Sequence, residues 1–147
     1  MQLRRIVTLV LLSFVAACGG SGIQVPPGPV GAAAPAASVE RFLRLAQAKS
    51  YQEMGLVFGT KDGPIVRRDP ARQVEQRMYA IASILQHERF TIANEEPVPG
   101  RIGEAVRMTV SLTNGRQRKQ VPFISVRHGG GWLVEQVDLE RITRTSP

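Results

Sequence analysis

Cysteine occurs once in the 147 residues, at Cys18, which excludes an intramolecular disulfide framework and any zinc site built on paired cysteines. Histidine occurs twice, at His87 and His128. These lie on what read as different elements with no chelating neighbour, so no metal is expected. The sequence contains no G-x-S-x-G, no P-loop, no G-x-G-x-x-G and no H-E-x-x-H, so no cofactor and no familiar catalytic constellation is expected. Gly129-Gly130-Gly131 lies between two strand-like runs and reads as a hairpin loop, not a phosphate cradle opening a helix. Aromatics make up only 5% of the chain. Long apolar runs are missing as well. The longest, Ile6 to Ala17, would span about 18 Å as a helix, short of the roughly 30 Å hydrocarbon core. With 43% hydrophobic and 21% charged residues, the chain is neither wholly disordered nor a coiled coil.

The short run has a definite context. Met1 to Arg5 is basic, Ile6 to Ala17 is apolar apart from Thr8 and Ser13, and small residues close it, which is the pattern of a secretory signal peptide. Arg4 and Arg5 raise a folded-export route, but their neighbours lack the rest of that pattern, so general secretion is expected. Val15-Ala16-Ala17-Cys18 resembles the lipobox of bacterial lipoproteins. That resemblance implies cleavage before Cys18, a diacylglycerol on its thiol and an acylated amino terminus. It makes the mature protein a lipid-anchored component of the cell envelope. Gly19 is not the Asp that retains some lipoproteins at the inner membrane, which favours the periplasmic side of an outer membrane.

Removing residues 1–17 takes Arg4 and Arg5 from the nineteen cations and lowers the formal charge from +7 to +5. A chain outside the cytosol has no ordinary access to nucleic acid, so none is expected as a partner. The basic balance suits solvated surface or an anionic lipid headgroup layer. Gly19 to Ala37 holds five Gly, four Pro, five Ala and no charge, and reads as a tether. A single domain is expected over residues 38–147.

Ser38 reads as an N-cap, followed by Val39, Phe42, Leu43 and Ala46 at helical spacing, so a helix is expected over 39–49. Tyr51 to Phe58 reads as a second short helix stopped by Gly59, and Asp62-Gly63-Pro64 as a turn. Asp69 at the N-cap and Pro70 at the first helical position open a third helix, running to about Gln86, with Val74, Met78, Ile81, Ala82 and Leu85 on one stripe. The period then changes to two. Phe90 and Ile92 alternate with polar residues, and Val106, Met108, Val110 and Leu112 do so more cleanly. Asn114-Gly115 predicts a type I′ hairpin that pairs Met108 with Val121 and Val106 with Phe123. Pro122 marks an edge or a bulge. A last hairpin turns at the three glycines, and its phase is ambiguous. Trp132 and Val134 share one face, Val137 and Leu139 the other.

The order of elements, with Val39-Glu40-Arg41-Phe42-Leu43, Tyr51 to Phe58, Val121-Pro122-Phe123 and Gly130-Gly131-Trp132-Leu133-Val134, resembles the nuclear transport factor 2-like superfamily over roughly residues 38–140. The resemblance implies an α+β fold, a curved antiparallel sheet wrapped on helices to form a cone with a pocket. A cystatin-like α+β fold is the rival. Enzymatic members carry an acid–base group inside the cone, for which the candidates here are Tyr79, His87 and Asp138. Their plainer roles are a core-edge aromatic, a helix cap and a solvated strand end. Arg116, Arg118 and Lys119 form a basic tip beside the turn. The function expected is non-enzymatic binding of a protein partner or small apolar ligand, with a small lyase or isomerase as the alternative. No oligomeric state is implied.

Overall fold

The structure, a computed structural model, describes residues 23–143. The signal segment and Cys18 lie outside the described residues. Helices α1 (Pro35–Gln47) and α2 (Tyr51–Val57) come first, then a small hairpin, β1 (Gly59–Thr60) and β2 (Gly63–Pro64). A 3₁₀ turn over Ile65–Arg67 leads to α3 (Ala71–Ile84). Strands β3 (Arg89–Pro97), β4 (Ala105–Asn114), β5 (Gln117–His128) and β6 (Gly131–Val137) follow, and a short α4 (Glu140–Thr143) closes the described chain. The fold is α+β. The four long strands form one antiparallel meander in sequence order, and the helices pack on one of its faces.

Each helix is placed by its apolar stripe. Val39, Phe42, Leu43 and Ala46 are buried along α1, and Val74, Met78, Ala82 and Leu85 along and just beyond α3, with Ile81 half-buried. Phe42 sits at their meeting point, stacked 5.8 Å from Phe58 and edge-on 6.4 Å from Phe123 of the sheet.

Two helix starts differ from expectation. Ser38 is not an N-cap. α1 begins one turn earlier, with Pro35 in its first turn and Ala34 as an extended N-cap, because the alanine-rich end of the expected tether is a good helix former. Ser38 therefore falls on the buried stripe. Asp69 does not cap α3 either. Its N–H donates to Ile65 O, completing the preceding 3₁₀ turn, so Pro70 becomes the N-cap and helix begins at Ala71.

The segment before α1 also belongs to the fold. Ala32 and Trp132 exchange both backbone hydrogen bonds (2.9 and 2.8 Å), and Gly31 N–H donates to Leu56 O. Arg41 Nη1 donates to Pro29 O at 2.8 Å and Gly31 O at 2.6 Å. Gly31 has φ +64°, and a Cβ there would meet the Trp132 carbonyl oxygen at 2.5 Å, so only glycine lets this strap lie against β6. Composition reads as a tether up to Ala37, but the strap reaches outward to Pro29.

The β4–β5 hairpin turns one residue later than predicted. Asn114 pairs with Gln117, which leaves Gly115 and Arg116 in the loop, with positive φ at Gly115 alone. That is the sign pattern of a type II′ turn. Met108 therefore opposes Phe123 and Val110 opposes Val121. Partners move by two positions, which preserves the faces. The observed register sets the fully buried Val110 against Val121, where the predicted one would have set it against Lys119. The phase ambiguity of β6 is a β-bulge. Ile124 pairs with Gln136 and Ser125 with Val134, so Glu135 is the extra residue. Pro122 sits where β6 runs out, and its carbonyl accepts from Asp138 N–H. The edge it marks is thus local to the end of a central strand.

Candidate functional site

The interior between helices and sheet is filled by apolar side chains. Among the described residues only two polar side chains are buried, Ser38 and Ser125, and their hydroxyls meet at 2.8 Å. Ser38 Oγ also donates to Pro35 O at 2.7 Å. Concave surface is found instead around the outside.

One such groove, of about 480 Å³, runs between the end of α1, the start of α2, the end of α3 and the β4–β5 hairpin. Tyr51 and Tyr79, the only tyrosines of the chain, form its aromatic wall, edge-to-face at 5.5 Å. Tyr79 is 57% exposed. Gln47, Lys49, Ser83, Gln86, His87 and Asn114 supply the polar lining, and no carboxylate contributes. Lys49 is there because α1 ends in a Schellman motif. Ser50 N–H donates to Leu45 O and Lys49 N–H to Ala46 O, which puts Lys49 at φ +57° where glycine is usual. A strained non-glycine residue on a groove wall is a mark of functional sites.

His87 is half-buried against Phe90, edge-on at 5.6 Å. Its Nδ1 lies 2.6 Å from Leu85 O, so Nδ1 carries the hydrogen and donates to the end of α3. The other ring nitrogen, Nε2, is buried and without a hydrogen-bond partner. Gln47 Nε2 reaches across to the carbonyls of His87 and Glu88. Tyr79 and His87 thus share a groove, the first by its ring and the second through the α3 end. Asp138 does not join them. It follows β6, 3.9 Å from Arg141 Nε, in a separate shallow groove of about 250 Å³ that also involves Arg107 and Gln136. Cys18 lies outside the described residues.

Residues missed by the sequence reading are Tyr51, Gln47, Lys49 and Asn114. Tyr79 was marked by its type, but nothing in the sequence joined it to Tyr51, which lies on the same side of α2 as the buried Met54. Their meeting depends on how α2 and α3 pack, which spacing does not reveal.

A second polar cluster lies where loops converge at one end of the sheet. Arg101 holds Glu135 in a two-pronged ion pair at 2.7 and 3.0 Å. The hydrogen bonds from Glu135 raise the Arg101 pKa above its ordinary value, against the opposing effect of desolvation. His128 Nδ1 lies 2.9 Å from Lys61 O. Among the described residues no group of three His, Cys, Asp or Glu could hold a metal ion, and no helix is long and apolar enough to cross a membrane. Comparison with protein families, curated proteins and solved structures returns no match.

Proposed function

We propose that the chain is a lipid-anchored cell-envelope protein whose domain, of nuclear transport factor 2-like architecture, binds a ligand or partner and performs no acid–base chemistry. The order of two helices, small hairpin, third helix and four-stranded meander supports the architecture. The lipobox-like Val15-Ala16-Ala17-Cys18 supports the anchor, and Gly19 favours an outer membrane.

The observation that carries the binding reading is the apolar filling of the interior. Acid–base catalysis needs a positioned group facing a sheltered space. No Asp, Glu, His, Lys or Arg among the described residues is buried, and the candidates divide between two open grooves. The Tyr51–Tyr79 wall with amides and Lys49 beside it is instead the lining of a binding site, apolar surface with a few orienting polar groups. The alternative, a small lyase or isomerase, has one observation in its favour, the unpartnered Nε2 of His87 in the same groove.

A thermal-shift screen of envelope metabolites and glycan fragments tests the reading. A binder should raise the melting temperature of the intact protein but not of Tyr51→Ala/Tyr79→Ala. Chemical turnover of that binder, lost in His87→Gln, would transfer the conclusion to the alternative. For the anchor, Cys18→Ser should leave the protein uncleaved or released from membranes. Intact mass of an unmodified mature chain beginning elsewhere would refute it.

A further inference from the structure

The face of the sheet opposite the helices carries three exposed arginines, with Glu96 and Asp138 near one of them, Arg107. Register puts Arg89, Thr113 and Arg118 side by side in one row. Six residues along β4, Arg107 stands in another, between Glu96 and Ile124. The two rows between are uncharged. Arg89 and Arg118 are two strand spacings apart, about 10 Å, and Arg107 is about 20 Å away along the strand. All three arginines are exposed, and none has a hydrogen-bond or ion-pair partner among the described residues.

Elsewhere Arg67, Arg68 and Arg72 stand exposed around the start of α3, and five other arginines are occupied. Arg44 pairs with Glu40 and Arg101 with Glu135, Arg41 holds the strap, and Arg77 and Arg127 lie over the rings of Phe58 and Trp132. The sheet face has one carboxylate in these rows, Glu96, and Arg116 adds charge at the adjoining turn. The groove on it, of about 250 Å³, is too slight to enclose a small ligand. A broad surface with cations spread across it matches a planar array of anions.

We propose that this face docks on the anionic phospholipid headgroups of the membrane that holds the anchor. The proposal rests on the anchor reading for its geometry. Pro29, where the strap is last held, is eleven residues from Cys18, a reach of at most about 40 Å. The strap pairs with β6 at Trp132 and is held farther out by Leu56 of α2 and Arg41 of α1, so the tether leaves from the edge of the sheet on its helix side, and its reach is what brings the open face to the membrane. Each arginine brought to an anionic surface is worth on the order of a fivefold gain in association.

The full-length protein, purified from membranes and reconstituted into vesicles, tests this with a thiol-reactive NBD probe at Gln120→Cys, on the open face, or at Glu75→Cys, on α3. With 30% phosphatidylglycerol in phosphatidylcholine, the probe at 120 should brighten severalfold and shift to the blue. It should revert in 0.5 M salt, stay unchanged in pure phosphatidylcholine, and lose its response in Arg89→Gln/Arg107→Gln/Arg118→Gln at an unaltered melting temperature. The probe at 75 should respond in neither membrane. Equal response in neutral vesicles, response at 75 in place of 120, or indifference to the triple substitution would overturn docking. Labelling of the parent protein would show a free Cys18 and a failed anchor. Flotation then decides, since docking still requires arginine-dependent binding to anionic vesicles and falls without it.

Discussion

Ser38 and Ser125 hold one another's hydroxyls inside the core, and removing one leaves the other to find a partner there. Ser125 Oγ retains only a 3.3 Å contact to Pro35 O. Ser38→Ala and Ser125→Ala should each cost about 1–2 kcal/mol, while the double variant should cost less than the sum of the two. Additive losses in urea titrations would show that the hydroxyls act independently. At the hairpin, a Cβ on Gly115 would meet no atom within 4 Å, so the cost of substitution is backbone strain alone. Gly115→Val should lose about 1–3 kcal/mol. Asn114 is a paired strand residue without positive φ, so Asn114→Ala should change stability by less than about 0.5 kcal/mol. A large loss at Asn114 would restore the type I′ turn. These residues show where local reading fails. An Asn-Gly pair names a turn but admits two loop positions, and the choice lies in whether Val110 faces Val121 or Lys119. A serine before an apolar stripe looks like a cap whether or not the helix has already begun.

Among the elements, α3 and β4 were legible because one face of each is buried and the other wet, so periodicity survives in the sequence. β6 was not, because its period breaks. The extra residue at Glu135 lets Trp132 to Val134 keep one alternation against β5 and Gln136-Val137 another. Glu135 is also the anchor for Arg101 in the β3–β4 connection, so the bulge ties two elements that do not pair. Deleting Glu135 would remove the bulge and leave Val137 opposite Phe123, still facing the core, so the expected loss is that of the ion pair, about 1 kcal/mol. Glu135→Gln, which keeps the bulge, should cost about the same. A loss several times larger on deletion, read in urea titrations, would show that β6 needs the bulge for its packing.

For the molecule as a whole, the α+β class and helices-before-sheet order follow from a change of period near His87. The outer boundary of the domain does not follow. Gly, Pro and Ala between positions 19 and 37 carry no periodicity, and docking of residues 29–34 depends on backbone groups that composition cannot reveal. A chain beginning at Ser38 lacks the Ala32 pairing, the first turn of α1 and the Pro35 carbonyl. Compared with a chain beginning at Pro29, it should still melt cooperatively but be weaker by about 3 kcal/mol, from a handful of hydrogen bonds at about 1 kcal/mol each. It should also self-associate, because the β6 edge is bared at Trp132, next to the stretch that Phe58 still covers at Val134. Equal melts and equal light scattering for the two chains would mean that the strap adds nothing. The groove between α1, α2 and α3 was half legible: His87 and Tyr79 were marked, but their shared wall is a product of helix packing.

The strap also decides how the domain would carry load. Under the proposed anchor a pull on the tether would enter at Pro29, not at the helix, and the contacts there are strung out along the chain. Arg41's grip would part first, then the Gly31–Leu56 bond, then the two bonds between Ala32 and Trp132. Bonds loaded one after another yield at low force, so the strap would peel while the core stays folded. Peeling lengthens the tether and uncovers the β6 edge in one motion, which would make the protein extensible at the membrane without unfolding it.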